Sequence, residues 1–292
     1  MPSRWVVITG ASTGIGKSAA LTLARAGYRV LAGVRRQEDA DALSSPSSEN
    51  LTPLLLDVTK PTDIEAIGRR FDAEPEGLFA LINNAGHNYN SAFEYADDER
   101  ARNLMEVNFF GLANLSRRLI PSLRRFSERT GETSKLINIS SVGGNFGLPW
   151  EVYYHASKFA VIGLTEGLRQ ELWSQRIRAV VVEPGGIRTD FMPKTDASID
   201  LALASMDEAG SRRYGPGLQQ LRSQIARAAR FGSPPSAVAN TLLRIVKQHT
   251  PRFRWLVGLD ARLLYAMHRL LPFSWTHASL SAAVRRLRSW VP

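Results

Sequence analysis

The chain has no cysteine among its 292 residues, which excludes disulfides, zinc–thiolate sites and a thiol nucleophile. Its five histidines stand at no close metal-ligand spacing, so no metal is expected in the mechanism. Long apolar runs are also missing. Leu259 to Phe273 is broken by Asp260, Arg262, His268 and Arg269, short of the roughly 18 uncharged apolar residues that cross a bilayer. The N-terminus enters the apolar segment Trp5 to Thr9 without a basic, leader-like approach, and cytoplasmic residence is the expectation. Acid nearly vanishes from the C-terminal part: residues 211–292 hold 14 Lys or Arg against one carboxylate, Asp260, against 23 basic and 26 acidic residues before them. The net charge of +10 therefore divides into −3 for the body and +13 for the tail.

What is present is an ordinary globular composition, 44% apolar and 22% charged, enough for one large core. Seven short apolar segments alternate with longer amphipathic ones: Trp5 to Thr9, Arg29 to Val34, Thr52 to Leu56, Leu78 to Asn83, Lys135 to Ser141, Ile177 to Glu183 and Phe253 to Val257. Strands separated by helices predict an α/β fold with a doubly wound, parallel, seven-stranded sheet in one domain. That domain is expected to span residues 1–258, with a basic helical extension over 259–292. Ser44 to Asn50 reads as a surface loop, and residues 192–232, which show no strand pattern, are the candidate lid over substrate. Near the end, Leu280, Val284, Leu287 and Val291 alternate with Arg285, Arg286 and Arg288, so a basic amphipathic helix is expected, packed on the core or lying on a membrane.

The first strand leads into Thr9-Gly10-Ala11-Ser12-Thr13-Gly14-Ile15-Gly16, with a helix expected from about Ile15. Glycines here permit a tight turn, a close backbone approach to a pyrophosphate and close helix–strand packing, with the helix N-terminus facing the phosphates. The second strand ends Gly33-Val34-Arg35-Arg36, where a carboxylate would suit the ribose hydroxyls of NAD. Arg35 instead offers charge-assisted bonds to a 2′-phosphate, so NADP(H) is expected over NAD(H). Asp57 and Val58 after the third strand are candidates for the adenine, and Asn84, Ala85 and Gly86 after the fourth leave room for a flat ring and ribose.

Tyr154 and Lys158 lie four residues apart in a segment that reads as helix, so both project from one face. A phenol of reference pKa about 10 is a poor acid or base at neutral pH; an adjacent ammonium is expected to pull it downward. The run Leu136 to Ser141 reads as a buried strand delivering Ser141 to its carboxyl end, where ligands of such sheets bind. Phosphate loop, hydroxyls and amine together predict hydride transfer between a dinucleotide and a carbonyl or alcohol.

With these residues in this order, joined by Asn108 in Val107 to Gly111 and by Pro184-Gly185-Gly186-Ile187-Arg188-Thr189, the chain resembles the short-chain dehydrogenase/reductase family, with its Rossmann fold, over about residues 4–192. Segments around Ser141 to Pro149 and Pro251 to Trp255 are similar to 17β-hydroxysteroid and retinol dehydrogenases. The resemblance implies that Tyr154 is the general acid/base and that Lys158 binds the nicotinamide ribose. It further implies that Ser141 holds the substrate oxygen and that Asn108 holds a relay water. Pro184, Gly185, Ile187 and Thr189 would meet the nicotinamide. The implied substrate is a lipophilic carbonyl or alcohol such as a steroid, retinoid or aliphatic ketone. A ketoreductase for acyl or carrier-bound substrates and a non-catalytic NADP-sensing regulator are the alternatives. The basic tail contains no recognisable nucleic-acid-binding module, so no nucleic-acid partner is expected; a homo-oligomer remains open.

Overall fold

The computed structural model describes residues 4–44, 49–188 and 191–272. In chain order its elements are β1 (Trp5–Ile8), α1 (Gly14–Arg25), β2 (Arg29–Val34), α2 (Gln37–Leu43), β3 (Leu51–Leu55), α3 (Pro61–Asp72), β4 (Ala80–Asn83), α4 (Asp98–Met105), α5 (Leu112–Thr130), β5 (Ser134–Ile139) and α6 (Val152–Glu171). There follow β6 (Ile177–Pro184), α7 (Phe191–Ala204), α8 (Glu208–Phe231), α9 (Pro235–Lys247), β7 (Arg254–Val257) and α10 (Leu259–Leu270). The strands form one parallel sheet in the order β3-β2-β1-β4-β5-β6-β7. Chain order reverses between β1 and β4, and at such a point the connections diverge to opposite faces and leave a crevice beyond the strands' carboxyl ends.

Side chains that alternate along a strand divide the core into two layers. Val6 and Ile8 of β1 join Ala19 and Leu23 of α1 and Leu242 and Ile245 of α9 on one face. Val7 joins Ile67 and Phe71 of α3 and Leu115, Leu119 and Leu123 of α5 on the other. Because helices cover both faces, the central strands are apolar on both sides, which is why they are legible as continuous runs.

Strand ends differ from expectation by one or two residues. Leu78 is fully buried, but its N–H bonds the carbonyl of Ser122 instead of a neighbouring strand. Ser140 N still donates to Val182 O at 2.8 Å, whereas Ser141 turns into a short 3-10 segment, Val142–Gly144. The segment expected as a lid is two helices, α7 and α8, whose Ile199, Ala202, Leu218 and Leu221 bury one another against Trp150. Their apolar residues serve this small local cluster, which explains the absence of a strong pattern in the sequence. Helix α10 buries Ala261 with Phe146 and Val142 beneath it. The amphipathic segment at Leu280 to Val291 lies outside the described residues.

Candidate active site

Beyond the carboxyl ends of the strands lies a cleft of about 710 Å³. Its floor is the loop joining β1 to α1. Gly10 and Gly14 take φ of +66° and +54°, a left-handed backbone that glycine adopts without strain. A Cβ on Gly16 would stand 2.1 Å from the carbonyl oxygen of Gly10, so no larger residue fits where helix meets loop. Asn84 locks this turn: its Nδ2 donates to the carbonyls of Thr9 and Gly10 at 3.0 Å, while Thr9 Oγ1 accepts from the N–H groups of Asn84 and Ala85. Thr13 caps α1 with no side-chain bond and the first turn carries no acid, leaving the helix's first N–H groups to a ligand.

Every expected cofactor residue within the described chain lines this cleft: Gly10, Ser12, Thr13, Gly14, Ile15, Gly16, Arg35, Asp57, Val58, Asn84, Ala85, Gly86, Tyr154, Lys158, Pro184, Gly185 and Ile187. Thr189 lies outside the described residues. The neighbouring arginines differ: Arg36 bonds Asp39 at 3.1 and 3.3 Å, at the start of α2, while the exposed Arg35 borders the cleft. Burial alone would raise the Asp57 carboxyl. Hydrogen bonds from Thr59, aided by the charges of Arg35 and Lys60, outweigh it and hold the group below its usual range. A glycine cradle too tight for any Cβ, an open helix N-terminus and a basic side chain at the end of β2 fit a phosphate-bearing dinucleotide.

Helix α6 brings Tyr154 and Lys158 to the same wall as Ser141. Lys158 is buried, with Nζ donating to Ile139 O at 3.1 Å and lying 5.7 Å from the centre of the Tyr154 ring. The expected lowering of the tyrosine pKa is not what these protein groups produce. Burial is the largest influence and pushes Tyr154 up to about 12, against a hydrogen bond with Ser141 that favours the phenolate, and the charge of Glu151 pushes it further up. Burial likewise brings Lys158 down to about 8. Spacing showed that the two meet, but not how much water they lose. Tyr153, by contrast, turns away and stacks with Tyr89 and Phe93.

Asn108 is not on the cleft surface. It is 1% exposed, in a π-helical turn, Glu106–Gly111, between α4 and α5. Its Oδ1 accepts from His87 N at 3.0 Å, and its Nδ2 donates to His87 O and Ser157 Oγ at 2.9 and 3.1 Å. Such widened turns recur at functional sites because they offset one side chain from the helical register.

Two residues at the site were not singled out by sequence reasoning. Glu151 lines the cleft just ahead of α6. Asp260 of α10 accepts from Gly186 N at 2.6 Å, tying the last described helix to the loop after β6. Its signal was its isolation as the only acid in the basic tail.

Comparison with known proteins agrees with this geometry. A family model described as short chain dehydrogenase matches residues 4–200. The 3-ketodihydrosphingosine reductase of Bacteroides thetaiotaomicron is 32% identical over 266 residues, covering 91% of this chain and 92% of that protein. The 11-beta-hydroxysteroid dehydrogenase type 2 of Oryctolagus cuniculus is 30% identical over 280 residues, covering 92% of this chain and 68% of that one. Among solved structures, a short chain dehydrogenase of Burkholderia cenocepacia in complex with NADP superposes with a TM-score of 0.70 at 26% identity, over 96% of this chain and 99% of that one.

Proposed function

The chain belongs to the short-chain dehydrogenase family, oxidoreductases of carbonyl and alcohol groups that use a nicotinamide cofactor, and from that premise we propose an NADP(H)-dependent enzyme for a lipophilic substrate. The observation that carries the reading is the convergence of Ser141, Tyr154 and Lys158 on the cleft that also holds the glycine loop. When bound, the cofactor supplies the hydride. Ser141 and Tyr154 hydrogen-bond the substrate oxygen and stabilise the charge that grows on it; Tyr154, held as a phenol, delivers the proton. Lys158 orients the nicotinamide ribose, and Asn108 fixes the backbone at His87 beside Gly86. Thr189 is assigned to the nicotinamide by its place after Pro184 to Ile187.

The lipophilic substrate class is supported by the two relatives, whose names specify a ketodihydrosphingosine and a hydroxysteroid, and by the small apolar cluster between α7 and α8, from which Ile225 reaches the cleft. The NADP preference rests on Arg35, and on the NADP bound to the Burkholderia neighbour. Arg35→Ala is expected to reduce the ratio of kcat/KM for NADPH over NADH by about 10- to 100-fold, the loss of a charge-assisted phosphate contact. Steady-state kinetics with both cofactors checks this, and an unchanged ratio removes the assignment.

Helix α10 also supports peripheral membrane contact. Leu259, Leu263, Met267 and Leu270 are exposed, at 72, 56, 47 and 80%, on a helix that also exposes Arg262 and Arg269. Among the described residues no helix is long and apolar enough to cross a membrane, so such contact would be superficial. The full chain is expected to co-sediment with vesicles containing phosphatidylserine at low salt, and Leu263→Asp with Leu270→Asp to weaken this about tenfold or more. No sedimentation of the unaltered chain at low salt would refute the contact.

A further inference from the structure

Glu151 stands three residues before Tyr154 and ten after Ser141, lines the same cleft as both, and lies near enough to Tyr154 for its charge to act on the phenol. It is a costly residue in that position. The side chain is only 14% exposed, and among the described residues no Lys or Arg forms an ion pair with it. A carboxylate removed from water without a cation loses solvation that hydrogen bonds only partly replace. Asn88 Nδ2 and Asn90 Nδ2 both donate to one of its oxygens, Oε1, at 2.5 and 3.4 Å. The other oxygen, Oε2, lies 3.9 Å from His155 Nε2. His155 Nδ1 lies 2.6 Å from the carbonyl of Gly143, which can only accept, so that nitrogen carries a proton. Its Nε2 is buried and has no hydrogen-bond partner among the described residues.

The backbone is arranged to place this group. Trp150 adopts a φ of +71°, a left-handed conformation that is strained for a bulky residue and is found where the surroundings enforce it. Its carbonyl accepts from Ser91 N at 2.9 Å, and its ring packs edge-on against Tyr214 of α8, 5.7 Å away. A Cβ on Gly217 would stand 2.4 Å from the same ring, so α8 closes tightly over it. The strain turns the chain so that Glu151 enters the cleft at the first turn of the catalytic helix. An apolar substrate alone would gain nothing from it.

We infer that Glu151 binds a protonated amine of the substrate, carried within a few bonds of the reacting oxygen, so that the preferred substrates are lipophilic amino ketones and their amino alcohols. This deepens the proposed function and rests on it. The ammonium pairs with a cleft-lining carboxylate that no Lys or Arg of the described residues engages, so the contact discriminates against a ligand without the amine.

The test reads binding as well as turnover. The full chain saturated with NADP is titrated calorimetrically with 2-aminododecan-3-ol and with dodecan-3-ol. The expected result is an affinity for the amino alcohol about 10- to 100-fold higher, a preference that falls to about one in Glu151→Gln and is partly restored in Glu151→Asp. With the matching ketones the loss is expected in KM far more than in kcat. Equal affinity for the two alcohols in the unaltered chain, or a preference that survives Glu151→Gln, overturns the assignment. Failure of hydride transfer itself shows separately, as NADPH oxidation that does not depend on Tyr154.

Discussion

Tyr154→Phe is expected to lower turnover by about 10²- to 10⁴-fold while leaving NADPH bound, because it removes the proton donor and little else. The pH dependence sharpens this expectation. Burial holds the phenol at about 12, well above its ordinary value, so at neutral pH it is protonated and ready for carbonyl reduction. Raising the pH toward 8 leaves that form intact, and reduction is expected to lose nothing to tyrosine ionisation over that range. Alcohol oxidation needs the phenolate, whose fraction climbs about tenfold per pH unit below the pKa, so kcat/KM for oxidation is expected to rise with pH. The positive nicotinamide of the oxidised cofactor favours the phenolate and moves that rise to lower pH. Tyr154→Phe should abolish the slope as well as the rate. Parallel kinetics in both directions from pH 6 to 10 provide the check; a variant that keeps the oxidative slope would assign the base to another group.

The second large effect concerns the cofactor loop. Gly16→Ala places a methyl group 2.1 Å from the carbonyl oxygen of Gly10, and Gly10 cannot retreat because its own position lies against Ala85. Loop and helix must separate, at a cost of about 1–3 kcal/mol for an overpacked site, and the phosphate cradle opens with them. NADPH affinity is expected to fall by about 10- to 100-fold or more. Gly163→Ala and Gly167→Ala in α6 are the controls, since a Cβ there meets nothing within 4 Å. They should bind NADPH normally and raise stability slightly, as Ala does in a helix interior. Fluorescence titration of bound NADPH alongside thermal unfolding separates lost binding from lost folding. Normal affinity in Gly16→Ala would mean that the cradle lies elsewhere.

Most of the fold was legible because its strands are buried on both faces: runs such as Val6-Val7-Ile8 and Leu136-Ile137 have few alternatives once helices must cover both sides. The glycine loop and the Tyr154–Lys158 pair were legible for a related reason, since local geometry alone sets their spacing. What sequence could not supply depends on distant partners. The α7–α8 pair packs against Trp150, so neither helix carries a pattern directed at the main core. The left-handed turn at Trp150 is imposed by α8 and Ser91, and no residue type announces it. The Tyr154 pKa follows from how deeply its cleft is walled, which spacing along a helix does not record. Asp260 meets Gly186 because α10 starts directly after β7, which pairs with β6 beside that loop.

The central claim is Tyr154-dependent hydride transfer from NADPH to a lipophilic carbonyl, and the most direct measurement is NADPH absorbance over a panel of steroid, retinoid, aliphatic, amino-ketone and acyl-thioester carbonyls. Tyr154→Phe serves as the blank. The account predicts oxidation of NADPH on at least one lipophilic class, lost in that variant. Turnover confined to acyl thioesters, or turnover that persists in Tyr154→Phe, would contradict it.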